Sequence, residues 1–202
     1  MNAQEFGALL VLATAMSFTP GPNTTLSTAL AANFGLRGAL PFCAAVPAGW
    51  TLLMLLCGAG LGALILAVPA LRIGVKVVGI AYLLWLAWRL AGTRTLGSAA
   101  APLRVGFGQG VLLQFVNIKA WMLALTMTAG WVAVAGLDAA ASARRLAIVL
   151  AVMVVYAFTS NLSYALAGAL LRQWLARGQR LLWFNRLLAA LLVLTAVWMA
   201  GA

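Results

Sequence analysis

Residues 109–131 read QGVLLQFVNIKAWMLALTMTAGW, an apolar run long enough to cross a hydrocarbon core, with Asn117-Ile118-Lys119 near its centre. A charge in that place costs roughly 2.5–3.5 kcal/mol on insertion scales, so an ammonium there points to function. Lys119 stands about ten residues from either end of the run, or about 15 Å at helical rise, beyond comfortable snorkelling to the interface. A second interruption, Phe18-Thr19-Pro20-Gly21-Pro22-Asn23, lies in the first apolar stretch. Pro20 precedes Asn117 by 97 residues, close to half of the 202-residue chain.

Around these two breaks the composition is that of a membrane protein. The chain is 65% hydrophobic and 7% charged, with a mean hydropathy of +1.08, against about 25% charged residues in a soluble domain. Six stretches can each supply the roughly 20 apolar residues of a span. They run approximately from Glu5 to Ala32, Ala39 to Leu66, Ala70 to Ala91, Gln109 to Trp131, Leu146 to Leu170 and Leu181 to Ala200. The fold class expected is an all-α integral membrane protein of six transmembrane helices, forming a single domain over residues 1–202. Met1-Asn2-Ala3-Gln4-Glu5 lacks the basic start of a cleaved signal, so the first stretch is read as a span.

The net charge of +11 does not form a nucleic-acid patch, because the basic residues are scattered singly between apolar stretches. Arg37, Arg89, Arg94, Arg104, Arg172, Arg177, Arg180 and Arg186 flank the connections after spans one, three and five. Arg72, Lys76, Arg144 and Arg145 flank those after spans two and four. The positive-inside rule then puts the first set in the cytoplasm and both termini in the periplasm. Cys43 and Cys57 would be about 21 Å apart along one helix, too far to bridge, and no Cys-x-x-Cys occurs. Trp85, Trp88, Trp174 and Trp183 read as interfacial belt residues.

Each break interrupts the first span of a three-span group, residues 1–97 and 98–202. Three crossings are an odd number, so the second group enters the membrane from the opposite side. Two inverted three-helix repeats are a common plan of secondary transporters, and Gly/Pro-interrupted segments at matching positions mark a midplane site. The second spans match as well, with Pro41 and Pro47 in one and Thr159, Ser160, Asn161 and Ser163 in the other. Single kinks are routine in membrane helices. Two prolines within three residues are not, since they remove donors and leave carbonyls unmet in hydrocarbon at several kcal/mol each.

After Pro22 a helix can restart, with Asn23 suited to its N-cap. Its free N–H groups and positive dipole end would suit a carboxylate, and Lys119 would add a second attraction. Thr19, Pro20, Gly21, Pro22, Asn23, Thr24, Gln114, Asn117, Lys119 and Asn161 are therefore the candidate substrate-binding residues. Gly58 to Gly62 could pack a homo-oligomer or, equally, neighbouring helices of one chain. The chain has no His, and its only acids, Glu5 and Asp138, fall near span ends. That excludes the usual metal sites and most acid–base catalysis, and no phosphate-binding loop is present. No cofactor and no metal is expected.

These residues resemble the LysE family of amino-acid exporters of bacterial inner membranes. Thr19-Pro20-Gly21-Pro22-Asn23 and Asn117-Ile118-Lys119-Ala120 carry the resemblance, together with length and the six-stretch frame. The family usually reads Asn-Pro-Lys-Ala at the second break; here Ile118 replaces the proline, keeping the amide and the ammonium but not the residue that enforces a kink. The resemblance implies an efflux carrier for amino acids or close derivatives, driven by an ion gradient and working by alternating access. A carrier of a monovalent cation or another small solute on the same scaffold is the alternative. A membrane enzyme or a purely structural subunit ranks below both.

Overall fold

The structure, a computed structural model, describes residues 1–96 and 105–201. Arg104 and the expected repeat boundary at residues 97 and 98 lie outside the described residues. Every regular element described is helical: α1 (Ala3–Phe18), α2 (Pro22–Phe34), α3 (Leu36–Gly58), α4 (Leu61–Ala67), α5 (Pro69–Ala91), α6 (Phe107–Val116), α7 (Ile118–Met127), a π-helical turn (Thr128–Val132), α8 (Ala139–Leu175) and α9 (Arg180–Gly201).

The starts and stops are local chemistry. A capping box opens α1, with Asn2 Oδ1 accepting from Glu5 N and Glu5 Oε2 accepting from Asn2 N, both at 2.8 Å. Asp138 caps α8 by accepting from Ala141 N at 2.7 Å. The second expected span, Ala39 to Leu66, is not one helix. Gly60 takes φ +101°, a left-handed conformation cheap only for glycine, and divides it into α3 and α4. Pro41 and Pro47 sit inside α3 without ending it. α8 outruns its expected stretch: its 37 residues span about 55 Å against a hydrocarbon core of about 30 Å.

Among the described residues four helices, α3, α5, α8 and α9, are long and apolar enough to cross a membrane, and α6 with α7 and its π-helical turn, bent by 69°, makes a fifth if that pair is one span. α1, with 16 residues, is a shorter apolar helix.

Two sets of polar contacts mark opposite ends of the bundle. At one, Asn33 near the end of α2 and Asn185 near the start of α9 exchange amide hydrogen bonds of 2.9 and 3.1 Å. Asn185 also donates to Thr93 O just past α5. At the other, Glu5 of α1 pairs with Arg145 of α8 at 3.2 Å, while Trp131 Nε1 donates to Glu5 O at 2.9 Å. Arg89, Arg180 and Arg186 each lie over a tryptophan ring, Trp85, Trp174 and Trp183.

The helices pair across the two halves of the chain. α2 packs most extensively on α8, α3 on α6 as well as α8, and α5 on α9. Glycines permit close crossings of α2 on α8, α3 on α6 and α5 on α6: an added Cβ would meet Thr28 O at 2.3 Å from Gly168, Val111 O at 2.7 Å from Gly49, and Val116 O at 2.1 Å from Gly79. Apolar residues gather in two main clusters. One holds Leu26, Leu30, Phe42, Leu86 and Leu192; the other holds Leu9, Trp50, Met54, Trp121 and Met153. Neighbours on α3 (Val46 and Trp50) and on α8 (Ala157 and Met153) fall on either side of the seam, and the helix breaks meet there.

Candidate functional site

Pro20 and Pro22 have no N–H to offer, so the last turn of α1 cannot hand its carbonyls on to a continuing helix. The carbonyls of Ser17, Phe18 and Thr19 are met instead by side chains from the second half of the chain. Ser160 Oγ donates to Ser17 O, Tyr164 OH donates to Phe18 O at 2.9 Å, and Lys119 Nζ donates to Thr19 O at 2.9 Å. Thr19 Oγ1 turns back onto Ala15 O. Lys119 therefore does not hang free. One of its three protons holds the negative end of α1, and two remain for other acceptors.

α2 restarts differently from the sequence expectation. Gly21, in extended backbone, is the N-cap and Pro22 takes the first helical position, so Asn23 is already inside the helix and cannot cap it. Thr24 Oγ1 reaches back to accept from Gly21 N at 3.0 Å, and no side chain caps the first-turn N–H groups of α2. This frees the Asn23 side chain, which exchanges hydrogen bonds with Gln114 of α6 at 2.9 and 3.1 Å.

The second break forms without proline. Asn117 adopts φ −93°, ψ 101° between α6 and α7, and its Oδ1 accepts from Lys119 N at 3.1 Å as the N-cap of α7. Trp121 Nε1 reaches back to Phe115 O at 2.8 Å. One freed carbonyl, of Phe115, and one freed N–H, of Lys119, are thus met within six residues of sequence. On α8, Asn161 Oδ1 accepts from Ser27 Oγ at 2.8 Å and its Nδ2 donates to Ala157 O at 2.8 Å.

Between the breaks lies a cavity of about 60 Å³, enough for a few waters. Its wall includes Thr19, Gly21, Pro22, Asn23, Thr24, Gln114, Asn117, Lys119 and Asn161, nine of the ten residues singled out in the sequence. The tenth, Pro20, lines a larger, mainly apolar cavity of about 460 Å³ on the far side of Lys119, toward α9. Lys119 borders both.

Sequence reading missed Met16, Ser17 and Trp50, which line the small cavity, and Tyr164, which holds Phe18 O. A signal for Tyr164 existed: Ser160, Asn161, Tyr164 and Gly168 repeat at helical spacing and share a face. Gly168 receives α2 on that face. Trp50 gave no such signal, because an indole in an apolar helix looks like any core residue.

The helices long and apolar enough to cross a bilayer make this a multi-pass membrane protein, with two discontinuities that meet at a lysine-walled cavity. The chain belongs to the LysE type translocator family, which it matches over residues 14–201. It is similar to proteins called cysteine/O-acetylserine efflux protein. With that of Klebsiella pneumoniae it is 32% identical over 198 residues, 98% of this chain and 97% of the relative. With that of Salmonella typhimurium it is 34% identical over 184 residues, 90% of each chain. With that of Escherichia coli K12 it is 32% identical over 189 residues, 92% of this chain and 91% of the relative. No solved structure matches the chain.

Proposed function

We propose that this protein exports a small amino acid or close derivative across the bacterial inner membrane by alternating access, driven by an ion gradient. Cysteine and O-acetylserine, after which the relatives are named, are the first candidates. One observation carries the reading: Lys119 Nζ lies 2.9 Å from Thr19 O, joining the two helix breaks at the wall of one cavity. No acid lines that cavity. A substrate carboxylate is the natural counter-charge for an ammonium so placed, and the free N–H groups at the start of α2 add to its attraction.

The helix pairing supports six crossings in two inverted repeats. Taking α1–α2 as span one and α6–α7 as span four, the broken span of each repeat packs on the second span of the other, α2 on α8 and α6 on α3. The third spans, α5 and α9, pack on each other. Exchanging the repeats leaves this pattern unchanged, as a pseudo-two-fold axis requires. The ends agree. Asn33, Thr93 and Asn185 bring together the ends of spans one and three and the start of span six. Glu5, Trp131 and Arg145 gather the start of span one, the end of four and the start of five. On the positive-inside count the first end faces the cytoplasm and the termini face the periplasm.

Cells expressing the chain and loaded with dipeptides should release amino acids into the medium faster than control cells. Lys119→Ala and Pro22→Ala should both slow that release. Normal insertion with wild-type export in both variants would refute the site assignment, and no export from a broad panel by the wild type would refute the substrate class.

A further inference from the structure

Trp50 of α3 is 4% exposed and forms part of the cavity wall, yet its indole N–H has no acceptor. Buried N–H groups are nearly always paired, because an unmet one forfeits its full desolvation cost, and an exception calls for a physical cause. The neighbouring polar side chains are mostly committed. Asn23 and Gln114 bond each other, Gln114 spends its second proton on Gly110 O, and Asn161 is held by Ser27 and Ala157 O. Among the side chains around the cavity, Lys119 keeps two protons, Asn23 and Asn161 keep one amide proton each, and neither the Asn117 amide N–H groups nor the Trp50 indole N–H has a partner. The ring packs in an apolar cluster with Leu9, Met54, Trp121 and Met153, which leaves the N–H without an acceptor among them. Gly49, the preceding residue, lets the Val111 backbone and the Gln114 side chain press directly onto α3.

We propose that Trp50 is a specificity residue whose indole N–H donates to a carboxylate oxygen of the exported amino acid, opposite the ammonium of Lys119. This rests on the transport function proposed above and deepens it: a carboxylate offers two oxygens, one for the ammonium and one for the indole. A substrate lacking that anion, such as an amino-acid amide, offers only one comparable acceptor. The indole thus completes a clamp built from both halves of the chain, α3 from the first and α7 from the second.

The experiment is counterflow of labelled cysteine or O-acetylserine in proteoliposomes holding the full chain, with the unlabelled amino acid and its carboxamide as competitors. Trp50→Phe keeps a ring and loses the donor; a benzothienylalanine at position 50 keeps the full bicyclic shape and replaces N–H by sulfur, in case phenylalanine perturbs packing. The expected result is a rise of about tenfold in KM for the amino acid, the size of one hydrogen bond to a charged group. The preference for amino acid over carboxamide should narrow by a similar factor, with the maximal rate little changed. An unchanged KM in both variants overturns the proposal. So does an equal rise for amino acid and carboxamide, which would reduce Trp50 to packing. A fall in maximal rate alone also overturns it, because the N–H would then be finding its partner in another conformation of the protein. If the wild type moves neither substrate nor any other amino acid, it is the function proposed above that fails.

Discussion

The two helix breaks meet at one cavity but are held by different means. At Thr19-Pro20-Gly21-Pro22 the prolines strip out donors, and the orphaned carbonyls are met by Ser160, Tyr164 and Lys119, all more than 90 residues away in sequence. At Asn117 no proline is present, and the Lys119 N–H and the Phe115 carbonyl are met from close by in sequence, by Asn117 itself and by Trp121. The first break depends on the assembled fold, whereas the second carries its own caps. A discontinuity held from afar can also be altered from afar, because any motion of α7 or α8 changes what meets the carbonyls of α1. The site is thus asymmetric: α6–α7 is the self-supporting side and α1–α2 the supported one.

That asymmetry can be broken by mutation, and the sharpest probe is Lys119→Ala. It removes the ammonium from the cavity and leaves Thr19 O unmet. Counterflow should slow by about 10- to 100-fold, the range for losing a hydrogen bond to a charged group; an unaltered rate would sever the link between the breaks. Tyr164→Phe should come next, lowering stability by about 1–2 kcal/mol through the orphaned Phe18 carbonyl, seen as an earlier unfolding transition in detergent. If unfolding does not move, the first break does not need distant support. Asn117→Ala should cost about 1 kcal/mol, the usual size of a lost N-cap, by the same thermal assay. The smallest effect belongs to Ile118→Pro. Ile118 is the first residue of α7, where an N–H has no helical partner, and Asn117 before it is already extended. Stability should stay within about 0.5 kcal/mol of wild type; a large loss would mean that Ile118 is needed for more than opening α7.

Much of this was legible in the chain. The apolar stretches, the placement of Lys119 and the double proline at 20 and 22 forecast helices with two interruptions, because hydropathy and donor loss are properties of a few adjacent residues. Asn23 was misassigned because capping depends on which residue takes extended backbone, and Gly21 took it. Gly60 ended α3 early for a similar reason: one residue at positive φ outweighs an apolar run. The amide and the ammonium marked Asn117-Ile118-Lys119 in an apolar run, but with Ile118 in place of a proline the sequence left the kink open, and it is Asn117 as N-cap and Trp121 that secure it.

What the sequence by itself determined is that this chain lives in a membrane, breaks its first helix at a double proline and keeps a lysine in an apolar run. Each follows from local composition and the cost of unmet groups in hydrocarbon. Only the tertiary structure decided which carbonyl Lys119 would hold, that Asn23 and Gln114 would satisfy each other, and that the Trp50 N–H would be left without a partner. Those outcomes join residues from opposite halves of the chain. They depend on how the assembled helices pack, as at the close crossing of α3 on α6 at Gly49, which no local pattern encodes.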